Sequence, residues 1–169
     1  LGKKFREALN SYYSQIDRTL AFMGDLSTLQ VIARGPGYST ASQGALMFKE
    51  ALQIPATSML GGEFRHGPME MVSEGFKSIL FAAEGKTMQQ SLKMAEDISL
   101  FGGKVLLITN KKLSEADSNI MQIFIDEPEE YLFSIMGILP VQLFVDSYAK
   151  SKGFEAGSFS RGAKVTEVE

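Results

Sequence analysis

The stretch TLQVIARGPG at positions 28–37 decides the fold class of this chain. Its first six residues are mostly apolar, with the β-branched enrichment of a buried position, which predicts a short strand over 28–33. RGPG then turns the chain, and a helix is predicted over 39–52 because Ala41, Ala45, Phe48 and Leu52 would share one face. A strand that passes through a glycine-rich turn into a helix is typical of an α/β sheet.

The same alternation of strands and helices continues along the rest of the chain. Apolar runs predict strands over 56–60, 76–83, 104–110 and 119–126, and the remaining periodic segments predict helices over 3–23, 87–101 and 127–152. Pro140 lies inside the last helix and should bend it. Because the strands are nearly continuous apolar runs, we expect a parallel sheet that is covered on both faces. The fold class is therefore α/β, a five-stranded parallel sheet sandwiched by helices in the flavodoxin-like arrangement.

The length of 169 residues suits one domain with a sizeable core. Within 1–169 we expect a linker and first helix over 1–26, the α/β core over 27–152, and a C-terminal loop and tail over 153–169. No internal repeat or linker divides the chain.

The composition excludes several function classes. A net charge of -3 with scattered basic residues argues against nucleic acid as a partner. The absence of cysteine excludes disulfides and thiolate chemistry, and with one histidine it disfavours a zinc site. The charged N-terminus does not resemble a signal peptide, and no apolar run approaches a membrane span. We expect a cytoplasmic, soluble protein that needs no metal or cofactor and has no membrane partner.

The only histidine, His66, lies in GGEFRHGP at positions 61–68. This segment follows a predicted strand, as do RGPG and the loops at 84–85 and 109–110, so all four should meet at the carboxyl edge of the sheet, where such folds bind ligands. Imidazole moves protons near neutral pH, which makes His66 a candidate catalytic or ligand-contacting group. The alternative is a surface histidine. Glu63 precedes it by three residues, but this is not HExxH, and we infer no metal.

Three other positions carry weaker signals. Glu50 shares a helix face with Met47, although its spacing alone favours a solvated helix end. Arg34 and Gly35 belong to a loop that lacks the third glycine of a dinucleotide fingerprint, yet a helix that starts after such a loop can hold an anion. They are therefore candidate substrate-binding residues.

The C-terminal segment SRGAKVTEVE is the remaining candidate. It follows a glycine-rich loop that is long enough to fold back over the sheet edge. Lys164 would then pair with a carbonyl or a phosphate, although such basic tails are usually loose.

Taken together, ARGPGYSTASQGALMFKE, GGEFRHGPMEMV, LPVQLFVDSYAKSKG and AKVTEVE resemble the sugar isomerase (SIS) domain family. The resemblance covers nearly the whole chain and is greatest to the second, C-terminal SIS domain in the isomerase half of the glucosamine-6-phosphate synthases. GEFRHGP together with the AK-containing tail is its specific part.

This resemblance implies a role for each candidate. Glu50 matches the base that moves a proton between C1 and C2 of the open-chain sugar phosphate. His66 matches the group that opens the hexose ring and serves the neighbouring subunit, which implies a homodimer. Lys164 matches the amine that forms a Schiff base with the keto sugar, and Ala163 supplies backbone contact. The implied substrates are fructose 6-phosphate and glucosamine 6-phosphate.

Two departures from the synthase pattern leave alternatives open. Met47 replaces a lysine one turn before Glu50, and Gln43 replaces a glutamate. Loss of the lysine affects amination more than isomerisation or C–N cleavage. GEFRHGPMEMV looks as much like the amino-sugar-phosphate deaminases and deglycases of the family, and a non-catalytic SIS module that senses a phosphosugar or dimerises is a further alternative.

The family's Ser/Thr-rich phosphate loop and its glutaminase domain have no counterpart in this sequence. We therefore expect an upstream SIS domain, with a glutaminase domain before it in the synthase case. On this expectation the chain is the C-terminal half of a two-SIS protein and an incomplete catalyst by itself.

Overall fold

Five parallel strands form the centre of the computed structural model, which describes residues 2–113 and 117–158. The strands are β1 (Leu29–Ala33), β2 (Ala56–Leu60), β3 (Lys77–Ala82), β4 (Lys104–Thr109) and β5 (Ile120–Phe124). Their order is β2-β1-β3-β4-β5, and every paired neighbour is parallel. This is the flavodoxin-like order, so the predicted fold class is confirmed. Because β2 lies on one side of β1 and β3 lies on the other, the order in which strands are added to the sheet reverses between β1 and β3.

Helices cover both faces of this sheet. They are α1 (Gly2–Tyr13), α2 (Ile16–Met23), α3 (Gly37–Leu52), α4 (Gly61–Arg65), α5 (Met88–Leu100), α6 (Glu130–Met136) and α7 (Ile138–Ser151), with a 3-10 turn over Pro68–Met71. Successive strand residues point to opposite faces. Val31 and Phe81 therefore join the core beneath α3 and α7, whereas Ile32 and Leu80 join the core beneath α4 and α5.

Two long predicted helices are interrupted. The helix expected over 3–23 ends at Tyr13 and resumes at Ile16. The helix expected over 127–152 begins at Glu130 and is divided at Gly137, three residues before Pro140. A proline lacks the N–H that would bond to the carbonyl four residues earlier, and its ring crowds that carbonyl. For Pro140 that carbonyl belongs to Met136, which is why the division falls there.

The segment from Glu130 to Ser151 is long and apolar enough to cross a membrane by length and composition alone. However, 61% of its apolar window is buried inside the domain, as in the core helix of a globular protein. Phe144 shows why: its side chain is fully buried and packs against Phe48 of α3 with ring centroids 5.8 Å apart.

Candidate functional site

The loops that follow the strands meet at the carboxyl edge, as the sequence predicts. The backbone N–H of Glu84 donates to Asn110 Oδ1 at 2.6 Å, and Asn110 Nδ2 donates to the Glu127 carbonyl at 2.8 Å. These bonds join the loops after β3, β4 and β5. A β-carbon at Gly35 would lie 3.3 Å from a carboxylate oxygen of Glu130, which connects the loop after β1 to the start of α6.

His66 lies at this edge, but the segment that carries it is not the loop expected from its glycines. GGEFR forms the short helix α4. Glu63 stabilises its first turn, since its carboxylate accepts a hydrogen bond from the Leu60 N–H at 3.3 Å. Phe64 is fully buried and packs against Phe76 with ring centroids 5.9 Å apart. Consequently α4 presents His66 as an exposed residue directly after its last turn.

Asp97 on α5 fixes the end of α4. Its carboxylate accepts hydrogen bonds from Arg65 Nη2 at 2.8 Å and from Lys93 Nζ at 2.6 Å. Burial raises the pKa of Asp97 and the bonds from Lys93 and Arg65 lower it, with the lowering prevailing. Arg65 precedes His66, so this ion pair connects the histidine-bearing segment to α5. No sequence pattern indicated Asp97, because it lies 32 residues from Arg65.

Arg34 follows β1 and extends over the end of β2. A β-carbon at Gly61 would lie only 2.7 Å from Arg34 Nε and 3.0 Å from its Cζ, so the guanidinium rests directly on this glycine. Arg34 Nε is buried and has no hydrogen-bond partner among the described residues. Burial, and next the nearby charge of Arg65, lower the pKa of Arg34.

Glu50 lies at the opposite edge of the sheet. Helix α3 connects two parallel strands and therefore runs antiparallel to them. It begins at Gly37 beside the carboxyl edge, and Glu50 lies 13 residues further along it, about 20 Å at 1.5 Å per residue. Glu50 is exposed, whereas Met47 is half-buried and packs against the core. Arg34 and His66 therefore lie at the carboxyl edge, whereas Glu50 of the same chain lies at the other end of α3.

A groove lies at the end of α3, and its lining begins at Ala51, the residue after Glu50. Its volume is about 310 Å³, and its walls are formed by the end of α3 and by the segment that follows α7, namely Ala51, Leu52, Gln53, Gly153, Phe154, Glu155 and Ser158. Small-molecule sites commonly begin at about 300 Å³. The C-terminal segment thus starts on the same edge as Glu50. Ala163 and Lys164 lie outside the described residues.

The part of the chain that the structure describes holds no group of three or more His, Asp or Glu side chains placed to bind a metal ion. Glu63, the acidic residue nearest in sequence to His66, is engaged with the Leu60 N–H instead. The closeness of Glu130 to the loop after β1 was not foreseen from the sequence, which predicted only a helix over 127–152.

Comparison with known proteins connects this geometry to a family. The family model of the SIS domain matches residues 25–148, from just before β1 to near the end of α7. The chain belongs to the SIS domain family. The first three strands and the helices between them, including α3 and α4, all lie within the matched region.

Two curated relatives carry the same name. The chain is 31% identical over 140 residues to glutamine–fructose-6-phosphate aminotransferase [isomerizing] of Zymomonas mobilis, and 27% identical over 166 residues to that of Brucella abortus. These alignments cover 82% and 95% of this chain but only 23% and 27% of the relatives. The SIS chain thus spans about a quarter of the length of the curated relatives it matches.

A solved structure supports the fold. The C-terminal domain of glucosamine-fructose-6-phosphate aminotransferase from Francisella tularensis superposes with a TM-score of 0.74 at 22% identity. The match covers 92% of this SIS chain and 45% of that chain. At this identity the similarity establishes the shared architecture.

Proposed function

We propose that this SIS chain is a phosphosugar-binding isomerase or aminotransferase domain that acts on fructose 6-phosphate or glucosamine 6-phosphate in the cytoplasm. The observation that carries the proposal is the position of Glu50, an exposed carboxylate near the end of α3 that directly precedes Ala51, a residue that lines the 310 Å³ groove. The names of the curated relatives agree with this reaction class.

In the proposed mechanism Glu50 is the base. Its carboxylate removes a proton from one of the two carbons C1 and C2 of the open-chain sugar and returns it to the other, which interconverts ketose and aldose. Lys164 forms a Schiff base with the keto carbon, and Ala163 contributes a backbone contact. Lys164 follows Ser158 by six residues, a span of up to about 20 Å in an extended chain. This length suffices to return along the groove toward Glu50.

His66 opens the sugar ring in this proposal, but for another subunit. The ~20 Å of α3 that separates the two edges is longer than a hexose phosphate, so Glu50 and His66 of one chain do not reach the same sugar. A second copy that presents its His66 at the groove completes the site. We therefore propose a homodimer with shared active sites, and an upstream SIS domain that supplies the phosphate-binding loop.

The test uses the full-length protein with the Glu50→Gln substitution, which keeps the side chain's shape and removes its charge. Glu96→Gln, an exposed glutamate on α5, is the matched control. We expect Glu50→Gln to reduce sugar-phosphate turnover by about 100-fold or more, as for a lost general base, with substrate binding retained and the control unaffected. Turnover that survives in Glu50→Gln while binding is lost would refute the catalytic assignment.

A second candidate function is supported by Met47. This side chain packs half-buried against the core on the turn before Glu50, where the synthases carry a lysine. Its apolar character favours a deaminase or deglycase, which releases an amine and needs no delivery of ammonia. Assays with fructose 6-phosphate plus glutamine, and with glucosamine 6-phosphate alone, distinguish the two. Binding without turnover in both assays would instead indicate a sensing or dimerising SIS module.

A further inference from the structure

Glu127 is a buried carboxylate whose cation comes from the first helix of the structure. Its side chain is only 4% exposed, and Lys4 Nζ of α1 donates to it at 2.9 Å. No other cation within residues 2–113 and 117–158 forms an ion pair with it. The bond from Lys4 is the largest cause that lowers the pKa of Glu127. Because a buried charge that loses its partner is strongly destabilising, the loop that carries Glu127 depends on α1.

Glu127 also connects the hydrogen bonds that order the carboxyl edge. Its carboxylate accepts from the Glu129 N–H at 3.2 Å, and its carbonyl accepts from Asn110 Nδ2 at 2.8 Å. Asn110 Oδ1 accepts in turn from the Glu84 N–H. The Glu129 carboxylate caps the first turn of α6. A continuous chain of hydrogen bonds therefore runs from Lys4 to the loops after β3, β4 and β5 and to the start of α6.

Helix α1 is weakly attached to the rest of the domain. Tyr12 is its one buried residue, and Phe5 and Ala8 are half-buried against the core. A groove of about 300 Å³ lies along α1, and its opposite wall is formed by Phe124, Asp126 and Met136. The break between α1 and α2 separates its movement from that of α2. Because a helix of 12 residues is marginal by itself, α1 should open from the domain at a lower free energy than the sheet.

We propose that the Lys4–Glu127 pair is a latch through which the docking of α1 controls the loops of the carboxyl edge. While α1 is docked, Lys4 neutralises Glu127 and the loops after β3, β4 and β5 are ordered. When α1 opens, the buried carboxylate loses its cation and these loops loosen. This ion pair is the contact that differs between the two states, as a conformational switch requires. The latch does not depend on the proposed reaction.

The latch acts on a part of the edge that several loops share. Helix α6 begins at Glu130, whose carboxylate lies close to Gly35 in the loop after β1 and to Gly85 in the loop after β3. These are the two strands between which the strand order reverses. Opening of α1 should therefore be felt at the centre of the carboxyl edge, although α1 itself lies outside the sheet.

The test measures amide hydrogen exchange in the full-length protein over 83–86 and 126–132, with helix α3 as the internal reference. Lys4→Met removes the cation and keeps the stem of the side chain. Lys3→Met is the matched control, because Lys3 lies on the same helix and forms an exposed ion pair with Glu7 at 3.9 Å. The latch is scored as the difference in exchange between these two variants.

Two further variants separate the charge from the packing of α1. The double variant Lys4→Met/Glu127→Gln removes both charges, and the side-chain carbonyl at position 127 can still accept from the Glu129 N–H. Phe5→Ala weakens the packing of α1 against the core and keeps both charges.

We expect Lys4→Met to accelerate exchange over 83–86 and 126–132 by at least about tenfold, because an unpaired buried charge favours opening of the loops. Lys3→Met should match the wild type, and the double variant should recover most of the lost protection. Phe5→Ala should accelerate the same segments. Equal exchange in Lys4→Met and Lys3→Met, no recovery in the double variant, or acceleration confined to α1 in Phe5→Ala would each overturn the proposal.

Discussion

Replacing Phe64 with alanine should release α4, and with it His66, while the rest of the SIS chain stays folded. Phe64 is fully buried in the core beneath α4 and α5. Truncation of a buried phenylalanine to alanine costs about 3–5 kcal/mol. The side-chain polar contacts of this five-residue helix include the Glu63 bond to Leu60 and the partly exposed Arg65–Asp97 pair, and such a pair contributes only about 0–1 kcal/mol. These polar contacts are weaker than the packing that Phe64→Ala removes, so α4 should open more readily in the variant.

The assay is native-state hydrogen exchange of the amides over 61–66, with urea unfolding as the global measure. A loss of 3 kcal/mol or more corresponds to faster local opening on the order of 100-fold. Phe48→Ala is the matched control, since Phe48 is equally buried but lies on the other face of the sheet, within the 16-residue helix α3. The Phe48→Ala substitution should instead lower the free energy of global unfolding measured in urea. If exchange over 61–66 accelerates no more in Phe64→Ala than in Phe48→Ala, Phe64 does not anchor α4.

Three further predictions concern stability. Asp97→Asn should destabilise the protein at neutral pH by roughly 1 kcal/mol. The folded-state pKa of Asp97 is lowered, so this stabilisation is present above the ordinary aspartate pKa and is lost as the pH falls through the lowered pKa. The urea midpoints of the variant and the wild type should therefore converge in acid. Gly103→Ala should cost about 1–3 kcal/mol in urea unfolding, since its β-carbon would meet a side chain at 2.8 Å, whereas Gly2→Ala, with nothing within 4 Å, should be neutral. Burial raises the pKa of Tyr12 to about 12. The free energy of unfolding of the wild type should therefore fall as the pH rises from about 10 to about 12. In Tyr12→Phe the part of this fall that comes from Tyr12 should be absent.

The strands could be predicted because burial on both faces of a parallel sheet demands continuous apolar runs. The run over Val105–Ile108 is fully buried, and it was assigned to a strand from its sequence. The helix breaks could not be read in the same way. Tyr12, Ile16 and Leu20 keep helical spacing across the interruption between α1 and α2, so the apolar pattern does not reveal where the backbone changes direction.

The segment at 61–68 illustrates a different limit. Two glycines at its start disfavour a helix by intrinsic propensity, which is why a loop was expected. Tertiary contacts outweigh this preference. Phe64 is buried in the core, and the missing side chain at Gly61 allows Arg34 to lie against α4. Neither partner can be inferred from the local sequence, since Phe76 and Arg34 are distant from α4 along the chain.

The candidate residues were identified individually, but their grouping required the fold. ARGPGYSTASQGALMFKE reads as one motif, yet it contains Arg34 at the start of a crossover and Glu50 at its end. A crossover helix between parallel strands must run from the carboxyl edge to the amino edge, so the two ends of this motif are delivered to opposite edges of the sheet. A single SIS chain therefore carries Arg34 and His66 at one edge of the sheet and Glu50 at the other. The homodimer proposed above would bring His66 of one copy to Glu50 of another.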